Sequence, residues 1–170
     1  AVTLAAEQGH LDLMDLLLTD RRVDPNTAND YGNTAAIWAA EKGHGAIMAR
    51  LLRDDRVDPN LVNDRGRTAL MYGAARNHLD VVEQLLADKR VDANIAESHG
   101  WTAILYAACK GHNAVVEAFV ARDRVTVPVG FRPGDGNNAA DDDDDDAQEP
   151  PAEWVAVSYT HLRAHETEAY

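Results

Sequence analysis

Residues 34–44 read Thr34-Ala35-Ala36-Ile37-Trp38-Ala39-Ala40-Glu41-Lys42-Gly43-His44, and this stretch decides the fold. Thr34 is a good helix N-cap, because its hydroxyl can accept from the free N–H groups of a first turn. The Ala-rich run predicts a short helix over Ala35–Lys42. Gly43 then ends it, as a residue that tolerates left-handed geometry can. A second helix is expected over residues 45–53, where Ile47, Met48, Leu51 and Leu52 share one face at helical spacing. Residues 57–63 read as extended and turn-like, and Asn63-Asp64-Arg65-Gly66 is a tight-turn signal.

Working outward, the same pattern recurs. Gly32-Asn33-Thr34, Gly66-Arg67-Thr68 and Gly100-Trp101-Thr102 stand 34 residues apart. Gly9-His10, Gly43-His44, Asn77-His78 and Gly111-His112 keep that interval. So do Val23-Asp24-Pro25-Asn26, Val57-Asp58-Pro59-Asn60 and Val91-Asp92-Ala93-Asn94. Three independent markers on one period define a repeat protein. The pattern predicts helices over residues 69–76 and 79–87, then over 103–110 and 113–122. In the first unit Leu4-Ala5-Ala6 and Leu11, Leu13, Met14, Leu16 and Leu17 fit the scheme. The expected architecture is all-α: four stacked helix-turn-helix units with hairpin loops, at about 1–32, 33–66, 67–100 and 101–127. Helices this short are marginal alone and persist by stacking. Small residues at matched sites (Ala5/Ala6, Ala39/Ala40, Gly73/Ala74, Ala107/Ala108) let the layers approach closely.

These residues resemble the ankyrin-repeat family over about residues 1–127. The resemblance rests on the Gly-x-Thr turn, the Ala-Ala-x-x-Gly-His segment, the Leu-Leu pair and Asp-x-Asn. The period alone would also suit tetratricopeptide repeats, but their Trp/Gly/Tyr spacing is missing. There are departures. The family's Thr-Pro-Leu-His becomes Thr34-Ala35-Ala36-Ile37, Thr68-Ala69-Leu70-Met71 and Thr102-Ala103-Ile104-Leu105. The Gly that usually follows the second helix gives way to a longer run such as Asp54-Asp55-Arg56. The resemblance implies an L-shaped stack whose inner helices and hairpin tips form a concave face.

The remaining 43 residues differ in composition. The 170-residue chain has a net charge of -13. Residues 1–127 hold 14 Lys/Arg against 18 Asp/Glu, while residues 128–170 hold 2 against 11. Residues 128–156 carry Pro, Gly and Asn and then six consecutive Asp at 141–146, a composition expected to be a disordered acidic linker. Its charge suits a transient contact with the side bearing Arg65, Arg67 and Arg76. Residues 157–167, VSYTHLRAHET, are similar to the conceptual translation of a sequencing-library adapter, so 157–170 is expected to be a non-native tail. Together with a first residue that is not Met, this suggests a fragment of a longer protein.

Candidate chemistry is sparse. His10, His44, His78 and His112 occur one per unit. Packed helices lie roughly 8–10 Å apart, and zinc needs ligands at about 2 Å, so neighbouring histidines do not easily share a metal. They are expected to bond to backbone in the inter-helix turn. Cys109 has neither a partner base nor a cleft in view. No phosphate loop or hydrolase elbow occurs. The expectation is a non-enzyme without cofactor or metal.

The positions that matter are those at the hairpin tips, Tyr31 and Asn33, Arg65 and Arg67, His99 and Trp101, joined by Glu41, Lys42, Arg76 and Lys110 on the inner helices. The resemblance implies that such positions contact partners, and Trp, Tyr and Arg are enriched at interface hot spots. Trp38, Tyr72 and Tyr106 share one helical site and are expected mainly to pack. The expected partner is another protein. An acidic chain disfavours nucleic acid, and no apolar run approaches the roughly 20 residues of a membrane span. One cysteine precludes an intramolecular disulfide and suits an intracellular compartment, cytoplasmic or nuclear. A monomer is expected, able to self-associate through an uncapped first unit. A regulatory segment of a larger enzyme or channel is the alternative.

Overall fold

A computed structural model describes residues 1–122 of the chain. The readings for residues 128–156 and 157–170 lie outside the described residues. Among the described residues are eight helices: α1 (Val2–Glu7), α2 (Leu11–Thr19), α3 (Ala35–Lys42), α4 (Gly45–Leu52), α5 (Ala69–Ala75), α6 (Leu79–Ala87), α7 (Ala103–Cys109) and α8 (Asn113–Val120). They contain no strand, only a single antiparallel bridge between Ala96 and Thr102. The odd-numbered helices pack in one layer and the even-numbered helices in a second. Residues 1–122 thus form an all-α solenoid of four helix pairs. The helices end up to two residues earlier than expected, because Arg53, Arg76 and Lys110 serve as C-caps and Ala121 closes α8.

Local chemistry explains the boundaries. Thr34 Oγ1 accepts from the Ile37 amide at 3.4 Å, and Thr68 Oγ1 accepts from Met71 at 3.3 Å. Thr102 makes no such side-chain bond. The family's capping His is replaced by Ile37, Met71 and Leu105, and all three are buried. Gly43 closes α3 at φ 72°, in the left-handed region. Asn77, the one described non-glycine with positive φ, holds the same turn at φ 61°. Asn is among the few L residues that tolerate this geometry.

The core runs unbroken from Val2 to Phe119. Ala5, Ala6, Ala39, Ala40, Ala74, Ala107 and Ala108 are buried where inner helices meet. A Cβ added to Gly73 would lie 3.3 Å from Val82 Cγ2, so the close approach uses the missing side chain.

The histidines act between units, which corrects the expectation of a bond within their own turn. His44 Nε2 donates to the Glu7 carbonyl at 3.4 Å, His78 to Glu41 at 3.1 Å and His112 to Ala75 at 3.1 Å. A carbonyl only accepts, so each ring carries its proton on Nε2. His44 and His78 lie over the glycine turn of the preceding unit: a Cβ on Gly9 would come within 2.9 Å of His44 Cε1, and one on Gly43 within 2.6 Å of His78 Nδ1.

Two further clasps recur. Arg56 donates to the carbonyls of Leu18 (2.9 Å) and Val23 (3.0 Å), and Arg90 to those of Leu52 (2.7 Å) and Val57 (3.1 Å). Arg122 reaches Leu86 at 2.9 Å from two positions earlier in the register. These carbonyls lie at or just beyond outer-helix ends, where no intrahelical donor exists. Asn26 bridges the next loop, donating to Arg56 O at 2.7 Å and accepting from Asp58 N at 2.9 Å. Asn60 repeats this with Arg90 O and Asp92 N. The longer Asp-x-Arg run therefore replaces a glycine cap with an arginine supplied by the next unit.

Candidate interaction face

Each hairpin is built around one polar side chain, half-buried at Asn29 and buried at Asn63 and Glu97. Asn29 Oδ1 accepts from the amides of Tyr31 (3.0 Å) and Asn33 (2.9 Å). Asn63 Oδ1 does the same for Arg65 and Arg67, and Glu97 Oε1 for His99 and Trp101. Asn63 Nδ2 also donates to Asn33 Oδ1 at 2.8 Å and to the Tyr72 hydroxyl at 2.9 Å. Adjacent hairpins join where the Asp64 amide donates to Tyr31 O at 3.2 Å. The tips are thus held by internal bonds and form a row.

Glu97 is a charged substitute for the two asparagines. Burial, the largest influence on its carboxyl, would raise its pKa. Donors from His99, Trp101 and Ser98 outweigh burial and hold it below the usual value. His99 Nδ1 lies 3.0 Å from Glu97 Oε2, and Ser98 Oγ donates to the same oxygen at 3.1 Å.

The expected surface set divides. Tyr31 is 72% exposed at its tip, and Arg65 and His99 are exposed at theirs. Lys42, Arg76 and Lys110 are exposed at the ends of α3, α5 and α7. Glu41 is half-buried and faces Arg76 at 3.8 Å. Trp101 is half-buried, its ring 5.3 Å from that of Tyr106 at a tilt of 43°. Asn33 and Arg67 differ from the rest of the set, being buried at 9% and 8% exposure. Asn33 is spent on Asn63, and the Arg67 guanidinium lies 5.4 Å from the Tyr106 ring centre. Their positions point back into the hairpin, whereas positions 31, 65 and 99 point outward. Trp38 and Tyr72 are half-buried and Tyr106 buried, and Lys42 lies over the Trp38 ring at 5.5 Å.

Sequence reasoning read Asn63 only as part of a tight turn, and it missed Asn29 and Glu97 as turn organisers and the Arg56/Arg90 clasps. The first three also recur every 34 residues, so the period carried a signal for them.

The described residues offer little reactive chemistry. Burial pushes the Cys109 thiol up to about 11, so it is protonated at neutral pH. Burial also holds His112 below its ordinary value. Among the described residues no cluster of three or more His, Cys, Asp or Glu is placed to hold a metal ion. No described helix is long and apolar enough to cross a membrane.

Comparison with curated proteins returns no match. The family model for ankyrin repeats in three copies matches residues 2–96 and 46–129, covering the whole helical stack. With helix pairs, hairpins and inter-unit clasps all on that period, the chain belongs to the ankyrin-repeat family.

Proposed function

We propose that this chain is a protein-interaction scaffold, without catalysis or cofactor, that grips a partner protein through its inner-helix face and hairpin tips. Ankyrin repeats are in general protein-interaction modules. The observation that carries the reading is the hairpin row. Tyr31, Arg65 and His99 are exposed and chemically different, yet each stands on a turn held by side-chain-to-backbone hydrogen bonds. Holding side chains on rigid turns lowers the entropy lost on binding. Trp101, Glu41, Lys42, Arg76 and Lys110 extend the surface along the inner helices. Asn33 and Arg67 support it from beneath.

The test is affinity capture with wild type and with Tyr31→Ala/Arg65→Ala/His99→Ala. These changes leave the hydrophobic core untouched and remove one bond to Glu97, so circular dichroism should be unchanged. Loss of captured proteins supports the face. Retention of every one would show that binding lies elsewhere.

The protein is proposed to work as a monomer inside the cell, in cytoplasm or nucleus, which suits a single protonated cysteine. Exposed Leu4, Leu13 and Leu16 favour self-association of the first unit at high concentration.

A further inference from the structure

The hairpins share one frame but place their carboxylates differently. They read Asn29-Asp30-Tyr31-Gly32, Asn63-Asp64-Arg65-Gly66 and Glu97-Ser98-His99-Gly100. In the last of these the carboxylate stands one position earlier, at the turn centre instead of the exposed site of Asp30 and Asp64. The Glu97 side chain is 2% exposed, and its oxygens divide the work. Oε1 accepts from the His99 and Trp101 amides, as the asparagine oxygens do in the other turns. Oε2 lies 3.0 Å from His99 Nδ1, where an asparagine would carry a donating NH2 group.

A carboxylate oxygen only accepts, so the proton between these atoms sits on Nδ1. Burial would raise the Glu97 pKa, but the donors around the carboxylate hold it below the usual value. His99 is thus the opposite tautomer to His44, His78 and His112, which carry their proton on Nε2. Its Nε2 is left as a bare acceptor. No described residue bonds that atom, and the side chain is 55% exposed. A Cβ on Gly100 would meet nothing within 4 Å, so the approach is open.

Granted that the hairpin tips are the binding face, we propose that His99 Nε2 accepts a hydrogen bond from a partner's hydroxyl or N–H group, and that protonation of the ring releases this partner. Both forms of the ring keep the Nδ1–H bond to Glu97, so the turn is unchanged. Only the outward atom differs: a bare acceptor becomes a charged donor, and the partner's donor then meets another donor. The charged and titratable side chains around the ring are Glu97 and, on the adjoining hairpin, Asp64, Arg65 and Arg67. Gly66 of that hairpin abuts Glu97 and Ser98. Behind the turn, Tyr106 of α7 packs on Trp101. Of these side-chain types only imidazole ordinarily changes charge between about pH 8 and about pH 5.5.

The experiment uses the whole chain. Ring-nitrogen NMR at about pH 8 should show His99 protonated at Nδ1, and His44, His78 and His112 at Nε2. Glu97→Gln should relax the preference at His99 alone. A wild-type His99 protonated at Nε2 would overturn the proposal. Proteins captured by immobilised wild type at about pH 8 are then washed at about pH 5.5. Those held through this tip should be released, their affinity falling roughly fivefold to hundredfold as a donor loses its acceptor. His99→Gln still accepts but does not titrate, and should hold them at both values. His99→Lys only donates, and should capture them at neither. Release from His99→Gln as from wild type, or capture by His99→Lys equal to wild type, would overturn the proposal. If Tyr31→Ala/Arg65→Ala/His99→Ala loses captured proteins while His99→Lys keeps them, the His99 assignment fails and the binding face stands.

Discussion

Asn63 makes four hydrogen bonds from one buried amide: two to its own hairpin, one to the neighbouring hairpin and one to an inner helix. Truncation strands several buried partners at once, and such losses cost more than single exposed bonds. Asn63→Ala should therefore destabilise by about 2–4 kcal/mol, read as a lower urea midpoint. Glu97 takes the equivalent turn role with a charge. Its folded pKa lies below the ordinary 4.5, so its stabilisation is complete above that value and is lost as pH falls through the folded one. Asp54 and Asp88, each held down chiefly by side-chain bonds from Arg56 and Arg90, add loss in the same direction. The urea midpoint should decline as pH falls below the ordinary carboxylate range, and Glu97→Gln should flatten that decline. An unchanged acid limb would mean that Glu97 does not ionise in the turn.

At the scale of the helix, none of the eight is longer than nine residues, so each depends on its ends and neighbours. The left-handed turn between paired helices is one such end. Gly43→Ala forces a Cβ both into left-handed backbone and against His78, and should cost at least about 1 kcal/mol. Asn77→Gly meets neither problem and should fall within about 0.5 kcal/mol of wild type. Urea denaturation of the two variants checks the contrast. The arginine clasps are the other end. Arg90→Ala uncovers the Leu52 and Val57 carbonyls and leaves Asp88 without its cation. Arg22 holds the same register but bonds only Asp20. Arg90→Ala should lower Tm by several degrees, and Arg22→Ala by less than about one degree. Equal effects would show that the inter-unit bonds contribute nothing.

At the scale of the stack, the described residues build one kind of junction three times: His44, His78 and His112 each reach backbone of the preceding unit, as do Arg56, Arg90 and Arg122. The first unit shows what the junction covers. Leu13 is 43% exposed, whereas Ile47, at the same repeat position, is 1% exposed. Val81 and Val115 are likewise buried, and Val115 belongs to the last described unit, so this position faces the preceding helix pair. Leu4→Gln/Leu13→Gln/Leu16→Gln should reduce self-association in sedimentation velocity while leaving Tm within a few degrees. Ile47→Gln, the same chemistry on a covered face, should cost several degrees more. Ala40→Leu, between inner helices, should destabilise by about 1–3 kcal/mol or more through overpacking.

Much of the stack was legible from residues alone. Thr34, Gly43 and the Leu51-Leu52 pair set helix starts, stops and buried faces through local rules, and those rules need only neighbours a few positions away. The 34-residue period carried the number of units, because identical bricks can only stack. What residues alone left open was direction. Asn33 and Tyr31 sit two positions apart on one turn, yet one faces the interior and the other solvent. Arg65 and Arg67 divide in the same way. His44, His78 and His112, and likewise Arg56 and Arg90, act on carbonyls more than thirty positions earlier in the chain. Which atoms meet across a junction depends on how two rigid units settle against each other, and only the assembled tertiary packing determines that.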